Sequence, residues 1–340
     1  MPRASVLIPI HNKATTLPLT VDTVLRQSVT DVEVLLIGDG VTEDVRRVAE
    51  DLVALDARVR FLDLPKGPHH GERHRHTAVE AAESDAIFYL CDDDLLLPDH
   101  VADLLDLLAD HDLVQSLNGY LTADGRVRLY AADLADPDDV ALHLDDDVEH
   151  NAISITGTAH TRAAYDRVTP WDTTPAGWWP DRWQFRKMLG FGFRAATSAR
   201  MTALQFPTSA DGRDTWTDDE RAAEVVPWHA LVTGPGAQDE IDRRVRASLL
   251  PQLVEERGQL ARLHAALASQ RAYQDDVVRA REAEAADLRS EVETLRTHVD
   301  RLVEIRAAQE QQLAKLRERL AHKDEVLAQL RAKVRRPPQT

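Results

Sequence analysis

Residues 86–94 read Ala86-Ile87-Phe88-Tyr89-Leu90-Cys91-Asp92-Asp93-Asp94, an apolar run that ends in three consecutive aspartates. An uninterrupted apolar run of this length predicts a strand that is buried on both faces. Three carboxylates at the end of such a strand repel one another unless a cation or a ligand offsets their charge. The stretch therefore predicts a strand end that holds a cation. The acidic first turn of a following helix is the alternative.

Strand patterns also precede this stretch, and they alternate with helical ones. The strand patterns cover residues 5–10, 32–37 and 59–62, and the helical patterns cover residues 17–25, 45–55 and 77–82. Near-continuous apolar strands that alternate with helices predict an α/β fold with a mostly parallel, Rossmann-like sheet covered on both faces. Further along, we expect a solvated acidic loop at Asp133–Glu149 and another strand at Ala152–Thr158.

Polar residues or glycines follow each of the predicted strands. These segments are His11-Asn12, Gly38-Asp39-Gly40, Lys66-Gly67 and Asp92-Asp93-Asp94. In open parallel sheets, ligands bind in the crevice beyond the carboxyl ends of the strands. We therefore expect these four segments, which are far apart in the sequence, to meet around one ligand.

The charge of the chain is unevenly distributed. The net charge is −17, yet residues 251–340 hold 17 basic and 15 acidic side chains, so residues 1–250 carry the whole excess of acid. An acidic globular part argues against nucleic acid or an anionic membrane surface as a partner. The chain has one cysteine, Cys91, no secretion signal after Met1, and no apolar run of roughly 18–20 residues. We expect a cytoplasmic protein.

The four segments resemble motifs of the family 2 glycosyltransferases, which are inverting enzymes with a GT-A fold that use nucleotide sugars. Ser5–Lys13 is similar to their first strand and nucleotide-binding turn, and Leu36–Asp44 to their DDGS-T-D segment. Glu72–Thr77 occupies the place of their ARN element, and Cys91–Asp99 resembles their metal-binding DxD segment. The resemblance covers about residues 2–200 and is strongest with transferases of bacterial surface polysaccharides, including the spore-coat type.

The resemblance implies a role for each motif. Aligned on Pro98, the acidic triplet places Asp93 and Asp94 as ligands of Mn²⁺ or Mg²⁺, ions that favour oxygen ligands. Asp39 would accept a hydrogen bond from a uracil-type N–H of the base. The residues implied to bind the nucleotide sugar are Pro9, His11, Asp39, Arg75 and Asp92. For His11, a half-buried histidine at a strand end is the alternative.

An inverting transfer also needs a general base for the acceptor hydroxyl. The resemblance assigns this role to Asp181, within Trp178-Trp179-Pro180-Asp181-Arg182-Trp183, and an aspartate in the first turn of a helix is the alternative. The three tryptophans of this run could cover sugar faces or belong to the core, and His229 could add a metal ligand. Three positions depart from the family pattern: Gly38 and Pro180 replace acids, and Cys91 replaces the outer aspartate.

A single heptad register runs through the C-terminal part of the chain, which has no proline between Gln252 and Arg336. Its d positions include Leu253, Leu260, Leu267, Leu288, Leu295, Leu302, Leu316 and Leu330, and its a positions include Val278, Val292, Val299, Leu313, Leu320, Leu327 and Val334. This repeat predicts a coiled coil over residues 252–334. A lone amphipathic helix packed on the domain is the alternative, but at ~1.5 Å per residue it is longer than one domain can cover.

These patterns predict a GT-A nucleotide-diphospho-sugar transferase domain at 1–245, a coiled coil at 252–334 and a flexible tail at 335–340. The domain would divide into a nucleotide-binding half, 1–118, and an acceptor half, 119–245. The expected partners are a nucleotide diphosphate sugar, a glycan or lipid-linked acceptor, and other copies of the chain through the coil. Attachment to the inner face of the membrane is left open.

The predicted function is metal-dependent inverting glycosyl transfer, with UDP-sugars favoured as donors. An assembly protein with a degraded, non-catalytic transferase domain is the alternative, motivated by the substitutions at positions 38, 91 and 180. A nucleotidyltransferase is a third hypothesis. It ranks last because the glycine-rich basic loop typical of that class is missing after the first strand.

Overall fold

The first four strands of the sheet alternate with three helices, as the sequence patterns predict. The computed structural model describes residues 1–130, 132–145, 153–168, 170–208 and 212–334. The first elements are β1 (Ala4–Ile10), α1 (Leu17–Leu25), β2 (Val32–Asp39), α2 (Glu43–Leu55), β3 (Val59–Leu64), α3 (Glu72–Ala81) and β4 (Ala86–Tyr89). Nearly every side chain of β1 and β2 is buried, which explains why apolar residues follow one another in these strands without alternation.

Shorter elements extend the sheet and lead into a long helix. They are β5 (Leu95–Leu96), α4 (His100–Leu108), β6 (Leu113–Leu121), β7 (Val127–Tyr130), α5 (Pro137–Leu144), β8 (Thr158–Thr161), α6 (Arg162–Tyr165), α7 (Pro180–Gly190), β9 (Ala195–Gln205), a 3₁₀ turn (Arg213–Thr215), α8 (Asp218–Val232) and α9 (Ala237–Val334). Among the described residues, the strands form one sheet in the order β3-β2-β1-β4-β8-β6-β9-β5, and β7 pairs with β6. The predicted α/β fold is confirmed, with parallel pairing throughout β3-β2-β1-β4.

The strand order reverses at β1, which lies between β2 and β4. Pairing of β1 with β2 continues to Ile10, whereas its pairing with β4 stops at Leu7. The carbonyl of Leu7 faces β4 and accepts a hydrogen bond from Leu90 N–H at 3.1 Å. Pro9, two residues later, faces the same side beyond the last pair, so its missing N–H breaks no hydrogen bond. The sheet therefore opens between β1 and β4, at the type of switch point where ligands bind.

Apolar side chains cover both faces of the sheet. The cluster under α1, α2 and α4 includes Val6, Ile8, Val34, Leu36 and Phe88. The cluster on the other face, under α3 and α7, includes Leu7, Leu35, Ile37, Ile87 and Phe185. Adjacent residues of β1 and β2 thus enter opposite clusters, as the alternation of a strand requires. A third cluster packs β5 and β9 against α8.

Two segments differ from their sequence-based expectations. The strand predicted at Ala152–Thr158 begins only at Thr158, because Gly157 has a φ of 81° and turns the chain before it joins the sheet. The segment predicted as an acidic loop contains α5, since the Asp136 carboxylate caps that helix by accepting from Asp138 N–H at 2.8 Å. Residues 146–149 of that segment, and Ala152, lie outside the described residues.

The chain divides into two units, residues 1–255 and residues 256–340. Helix α9 begins within the first unit at Ala237 and continues to Val334. The predicted domain limits at 245 and 252 stay predictions, and the predicted tail at 335–340 lies outside the described residues. In the described ranges, no helix combines the length and the apolar composition that a membrane span requires.

Candidate active site

A cleft of about 310 Å³ opens beyond the carboxyl ends of β1, β2 and β3 and beside the segment that follows β4. It is lined by Pro9, Ile10, His11, Asn12, Lys13, Asp39, Lys66, His69, His70, Arg75, Cys91 and Asp92. This set contains all five residues that the sequence assigns to a nucleotide sugar. A larger hollow of about 770 Å³, lined in part by Arg3 and Arg162, contains none of them. The four strand-end segments therefore meet at one cleft, as expected.

The carboxylate of Asp39, at the end of β2, faces the loop that follows β3. Its Oδ1 accepts a hydrogen bond from Gly67 N–H at 2.6 Å, and its Oδ2 pairs with the ammonium of Lys66. Burial raises the pKa of Asp39, but these hydrogen bonds outweigh burial and hold the pKa below its ordinary value. Gly71 passes so close that a Cβ there would overlap this carboxylate. Asp39 is thus an ionised hydrogen-bond acceptor on the cleft wall.

The ring of His11 is oriented by the backbone of Asp39. Its Nδ1 lies 3.0 Å from the carbonyl oxygen of Asp39, and because a carbonyl can only accept, Nδ1 is the donor. In the neutral ring, Nε2 is then an acceptor. The neighbouring position 38 has little room for a side chain, since a Cβ on Gly38 would lie 3.0 Å from the ring of Phe61. Packing against β3 therefore disfavours a larger side chain at position 38, where the resemblance implies an acid.

The ammonium of Lys13 lies between two carboxylates of the acidic triplet. Its Nζ is 3.0 Å from Asp92 Oδ1 and 2.7 Å from Asp93 Oδ2. The side chain of Lys13 is 17% exposed and that of Asp93 is 4% exposed. Burial alone would lower the pKa of Lys13, but the charges of Asp92 and Asp93 outweigh burial and raise it above its ordinary value. Two carboxylate oxygens therefore converge on one cation where the sequence predicts a metal ion.

Asp94 is bound differently from the other two aspartates. Its Oδ1 accepts a hydrogen bond from Phe206 N–H at 2.8 Å, and its Oδ2 accepts one from the hydroxyl of Thr156. These bonds fasten the segment after β4 to the end of β9 and to the segment before β8. The sequence predicts Asp93 and Asp94 as the two metal ligands. The structure places the Lys13 ammonium beside Asp92 and Asp93 and gives Asp94 two donors from the protein, and the metal ligands stay a prediction.

Lys13 does not offset all of the buried negative charge. Burial, together with the charge of Asp92, raises the pKa of Asp93. Burial and the charge of Asp93 raise the pKa of Asp94. A second cationic group, the guanidinium of Arg221 in α8, lies 4.0 Å from Asp93 Oδ2. The electrostatic environment of the triplet therefore favours a further cation.

Arg75, in α3, lies between the cleft and a buried aromatic side chain. The centre of its guanidinium is 5.1 Å from the ring centroid of Trp171, a distance that allows a cation–π contact. Burial lowers the pKa of Arg75, and the negative charges of Glu72 and Asp181 act in the opposite direction. The cleft-lining arginine and the predicted base are thus close enough to interact electrostatically.

A chain of hydrogen bonds holds Trp171 in place beneath Arg75. Trp171 Nε1–H donates to the hydroxyl of Tyr89 at 2.9 Å, and that hydroxyl lies 2.8 Å from His160 Nε2. His160 Nδ1 lies 3.0 Å from the carbonyl of Thr161, so Nδ1 carries the proton and Nε2 accepts from Tyr89. Burial lowers the pKa of His160 to about 4. The chain is therefore complete with a neutral imidazole.

Asp181 lies in the first turn of α7, directly after Pro180, the first residue of that helix. Its Oδ1 accepts a hydrogen bond from Arg182 N–H at 2.8 Å. Asp181 is not among the residues that line the 310 Å³ cleft, and its carboxylate interacts electrostatically with Arg75, which does line it. The structure thus places the predicted base near Arg75, at the margin of the cleft.

The three tryptophans around Asp181 differ in exposure. Trp179 is 57% exposed and immediately precedes α7. Trp178 and Trp183 pack edge to face, with ring centroids 5.5 Å apart, and the guanidinium of Arg182 lies 4.8 Å from the ring of Trp178. Trp179 is therefore the member of this group that presents an apolar surface beside Asp181.

Asp92 and Asp93 supply carboxylate oxygens of the kind that divalent ions favour, and the Lys13 ammonium lies between them. Across the described residues, no group of three or more His, Cys, Asp or Glu side chains is arranged as a metal site. His229, the sequence candidate for an extra ligand, pairs instead with Asp22, whose Oδ2 lies 2.8 Å from His229 Nε2. Magnesium ions are commonly bound by one or two carboxylates, with phosphate oxygens and water completing the coordination. The two carboxylates beside Lys13 match that arrangement.

Sequence reasoning assigned no role to Lys13 or Thr156, although both contact the acidic triplet. The signal for Lys13 was its position, three residues after the end of β1 and thus at the predicted ligand edge. Thr156 offered no comparable signal, because 62 residues separate it from Asp94. Lys66 was expected at the ligand edge, and the structure adds its contact with Asp39.

Comparison with known proteins finds a family match in the N-terminal part of the chain. Residues 5–128 match Glycosyl transferase family 2. An uncharacterized glycosyltransferase of Bacillus subtilis, EpsJ, is 30% identical over 94 residues, which is 28% of this chain and 27% of that protein. Chondroitin synthase of Escherichia coli is 35% identical over 106 residues, or 31% of this chain and 15% of that protein. The matches therefore span well under two thirds of either relative.

Among solved structures, S. aureus TarS 1–349 in complex with UDP-GlcNAc resembles this chain with a TM-score of 0.48. The two are 13% identical, over 72% of this chain and 70% of that one, a likeness too weak to assign a function. The sequence match is the firmer result, and it covers β1 to β6 together with every strand end that lines the cleft. The match to Glycosyl transferase family 2 is therefore confined to residues 5–128, the part of the chain that contains the cleft.

Proposed function

We propose that this protein is a metal-dependent inverting glycosyltransferase, which moves a sugar from a nucleotide diphosphate sugar to an acceptor hydroxyl. One observation supports this most strongly. Residues from four strand ends converge on a single cleft at the switch point of the sheet, and they include an ionised acceptor, a guanidinium and an aspartate–cation cluster. A nucleotide diphosphate sugar needs groups of these three kinds.

The nucleotide base would bind near Asp39 and His11. An ionised carboxylate is an acceptor only, so Asp39 suits a base that presents an N–H, and this favours uracil over bases whose matching edge is an acceptor. Gly67 N–H and Lys66 keep the carboxylate ionised before the ligand arrives. His11, fixed by the carbonyl of Asp39, would lie beside the base, and Pro9 would shape the turn beneath it. Thymine and guanine also present a ring N–H, so the preference for UDP-sugars comes from the family resemblance.

The diphosphate would bind between Arg75 and the pair Asp92–Asp93. Arg75 supplies charge-assisted donors, and Lys13 adds an ammonium on the same wall of the cleft. Mn²⁺ or Mg²⁺ held by Asp92 and Asp93 would supply a Lewis acid that neutralises the leaving diphosphate. Burial, together with the neighbouring carboxylates, raises the pKa values of Asp93 and Asp94, and a divalent ion beside Asp92 and Asp93 would favour their ionised forms.

Asp181 would act as the general base. The acceptor oxygen forms a bond to the anomeric carbon while the bond from that carbon to the diphosphate oxygen breaks, and the hydroxyl proton passes to the Asp181 carboxylate. Attack from the face opposite the leaving group inverts the anomeric configuration. Asp94 would act as a positioning residue, since its bonds to Phe206 and Thr156 hold the backbone that carries Asp92 and Asp93.

The wider setting also belongs to this proposal. Trp179, exposed beside Asp181, could contact the apolar face of a sugar acceptor. The acceptor would be a glycan or a lipid-linked glycan of the bacterial cell surface, reached from the cytoplasm at the inner face of the membrane. Copies of the chain would associate through residues 252–334. The acidic excess of residues 1–250 argues against nucleic acid as a partner.

The test is turnover of a donor panel by the full chain. UDP-, GDP- and dTDP-sugars are incubated with Mn²⁺, with Mg²⁺ or with EDTA, and release of the nucleoside diphosphate is measured. We expect turnover with a UDP-sugar and either ion, and loss of turnover with EDTA and in Asp93→Asn. If no donor binds or reacts with either ion, the enzyme proposal fails and an assembly role remains. Equal turnover in EDTA would contradict only the proposed metal dependence and would leave the proposed transferase activity standing.

A further inference from the structure

The helix that forms residues 256–334 carries a stripe of exposed apolar side chains. Their exposed fractions lie between 48% and 65% at Leu260, Leu267, Leu288, Val292, Leu295, Val299, Leu302, Leu313, Leu316, Leu320 and Leu327. The spacings alternate between three and four residues from Leu288 to Leu302 and from Leu313 to Leu320, and the other residues keep the same heptad register, which places all of them on one side of the helix. The helix is roughly 120 Å long at ~1.5 Å per residue, so only a partner of similar length can cover the stripe. A second α-helix is such a partner.

The charges beside the stripe match those of a second copy that runs in the same direction. In a parallel, in-register pair, each g residue faces the e residue five positions later in the other chain. Three of these pairs have opposite charges: Glu284 with Arg289, Glu291 with Arg296, and Arg319 with Asp324. Between Glu256 and Arg331, none of the g–e pairs of the sequence joins two like charges. The sequence thus favours self-association in this register.

An antiparallel arrangement is less favourable in the same block. In an antiparallel pair, residues at e positions face e residues of the partner helix. When Val292 of one helix packs against Leu295 of the other, Arg289 of the first helix lies opposite Arg296 of the second. This contact occurs twice by symmetry, and like charges at such positions are destabilising. The charges of residues 284–296 therefore distinguish the two directions.

The apolar residues indicate how many helices associate. Between Leu288 and Leu302, the a positions are Val292 and Val299 and the d positions are all leucine. β-Branched residues at a with leucine at d favour two strands over three or four.

Two basic residues that interrupt the stripe have acidic neighbours on their own helix. At a d position, Arg281 Nη1 lies 3.2 Å from the carboxylate of Glu284, and at an a position, Arg306 Nε lies 3.0 Å from that of Glu310. These pairs draw each guanidinium towards an edge of the stripe. The interruptions weaken the coil, but they do not require an additional partner.

We propose that residues 256–334 form a parallel, in-register, two-stranded coiled coil with a second copy of this chain. This inference specifies the direction and number of the strands and does not depend on the proposed transferase activity. Because the chains run in the same direction, both copies of residues 1–255 would join the coil at the same end. Such pairing raises the effective concentration of a second site around a polymeric or surface-bound acceptor.

The first test measures mass and direction in the full chain. Light scattering is expected to give twice the chain mass of 38.0 kDa. In a Cys91→Ala background, Leu302→Cys at a d position is expected to form a disulfide-linked dimer under mild oxidation, because each new thiol faces its own counterpart. Ser290→Cys, at an outward f position, serves as the control and should not cross-link. A monomer, trimer or tetramer mass, or a dimer without the cross-link at 302, would overturn the proposal.

The second test is a charge exchange that keeps the apolar stripe intact. One variant combines Glu284→Arg and Glu291→Arg, and the other combines Arg289→Glu and Arg296→Glu. Each alone replaces four opposite-charge contacts in the dimer by like-charge ones, and we expect roughly 100-fold weaker self-association. Mixing the two variants restores the four opposite-charge contacts and should recover most of the lost affinity, while the pair of Arg281 with Glu284 within one helix stays broken in one copy.

Glu304→Arg combined with Glu318→Arg is the matched control for the charge exchange. It makes the same change of charge at two outward f positions and should leave association unchanged. Exchange variants that associate like wild type, or a mixture that fails to recover, would refute the parallel register. Donor turnover, measured on the same samples, reports separately on the proposed activity, so the two proposals can fail independently.

Discussion

The ammonium of Lys13 lies 2.7 Å from the carboxylate of Asp93, beneath a surface that leaves the Asp93 side chain only 4% exposed. The protein thus contains a cation of its own at the position where a metal-dependent transferase would bind one. Lys13 also contacts Asp92, so both proposed metal ligands are already engaged by the same group. A divalent ion must therefore either displace this ammonium or join it, and the two outcomes can be distinguished by substitution.

Lys13→Met removes the ammonium but keeps a side chain of similar length. Breaking a buried ion pair from one side leaves uncompensated charge and costs about 3 kcal/mol of unfolding free energy. We expect this loss in EDTA, and we expect Mn²⁺ to restore stability in the variant by more than it stabilises wild type, because the ion replaces the missing charge. Thermal and urea unfolding with and without Mn²⁺ measure both effects.

Lys66→Met is the control for this experiment. Lys66 also pairs with an aspartate, Asp39, but its side chain is 50% exposed, so its loss should cost less than about 1 kcal/mol. Its stability should respond to Mn²⁺ as that of wild type does. If Mn²⁺ stabilises Lys13→Met no more than wild type, Asp92 and Asp93 do not form the metal site.

Substitution of Asp94 is expected to lower the stability of the protein, whereas substitution of Asp93 is expected to weaken Mn²⁺ binding. Asp94→Ala leaves Phe206 N–H and the Thr156 hydroxyl without their buried acceptor, which should cost about 2 kcal/mol of unfolding free energy. Asp93→Asn keeps the shape of the side chain and should mainly weaken Mn²⁺ binding. Urea unfolding and calorimetric titration with Mn²⁺ separate the two effects. If an Asp94 variant keeps full stability but no longer binds Mn²⁺, Asp94 is a metal ligand.

The sequence predicted the positions of local features better than their partners. The strands β1 to β4 and the polar residues at their ends follow from uninterrupted apolar runs, since such runs have few other ways to bury themselves. The role of Asp94 depends on Phe206, 112 residues away, and the start of β8 depends on a glycine turn. Neither leaves a periodic signal. Contacts between distant segments therefore accounted for most of what sequence reasoning missed around the cleft.

His160 should make stability depend on pH in a defined window. Its pKa is about 4 in the folded protein and about 6.5 in an unfolded chain, so between these values only the unfolded state binds the proton. Stability is therefore lost as the pH falls through this window, by about 1.4 kcal/mol per pH unit. His160→Gln should remove this contribution. Urea unfolding at pH 6 and pH 5 should show the stability advantage of wild type over the variant shrinking by about that amount, and a pH-independent difference would contradict the assignment.

Asp181→Asn tests the proposed general base. The amide keeps the size of the side chain and can still accept the hydrogen bond from Arg182 N–H, but it cannot take up the acceptor proton. We expect kcat to fall by about 10²–10⁴-fold while the affinity for the donor changes little. Asp172→Asn is the matched control, because the Asp172 carboxylate binds Lys187 and Trp183 of the same helix α7. Steady-state kinetics and donor titration of both variants measure these effects. If Asp181→Asn turns over like wild type, or if kcat falls equally in Asp172→Asn, another group deprotonates the acceptor.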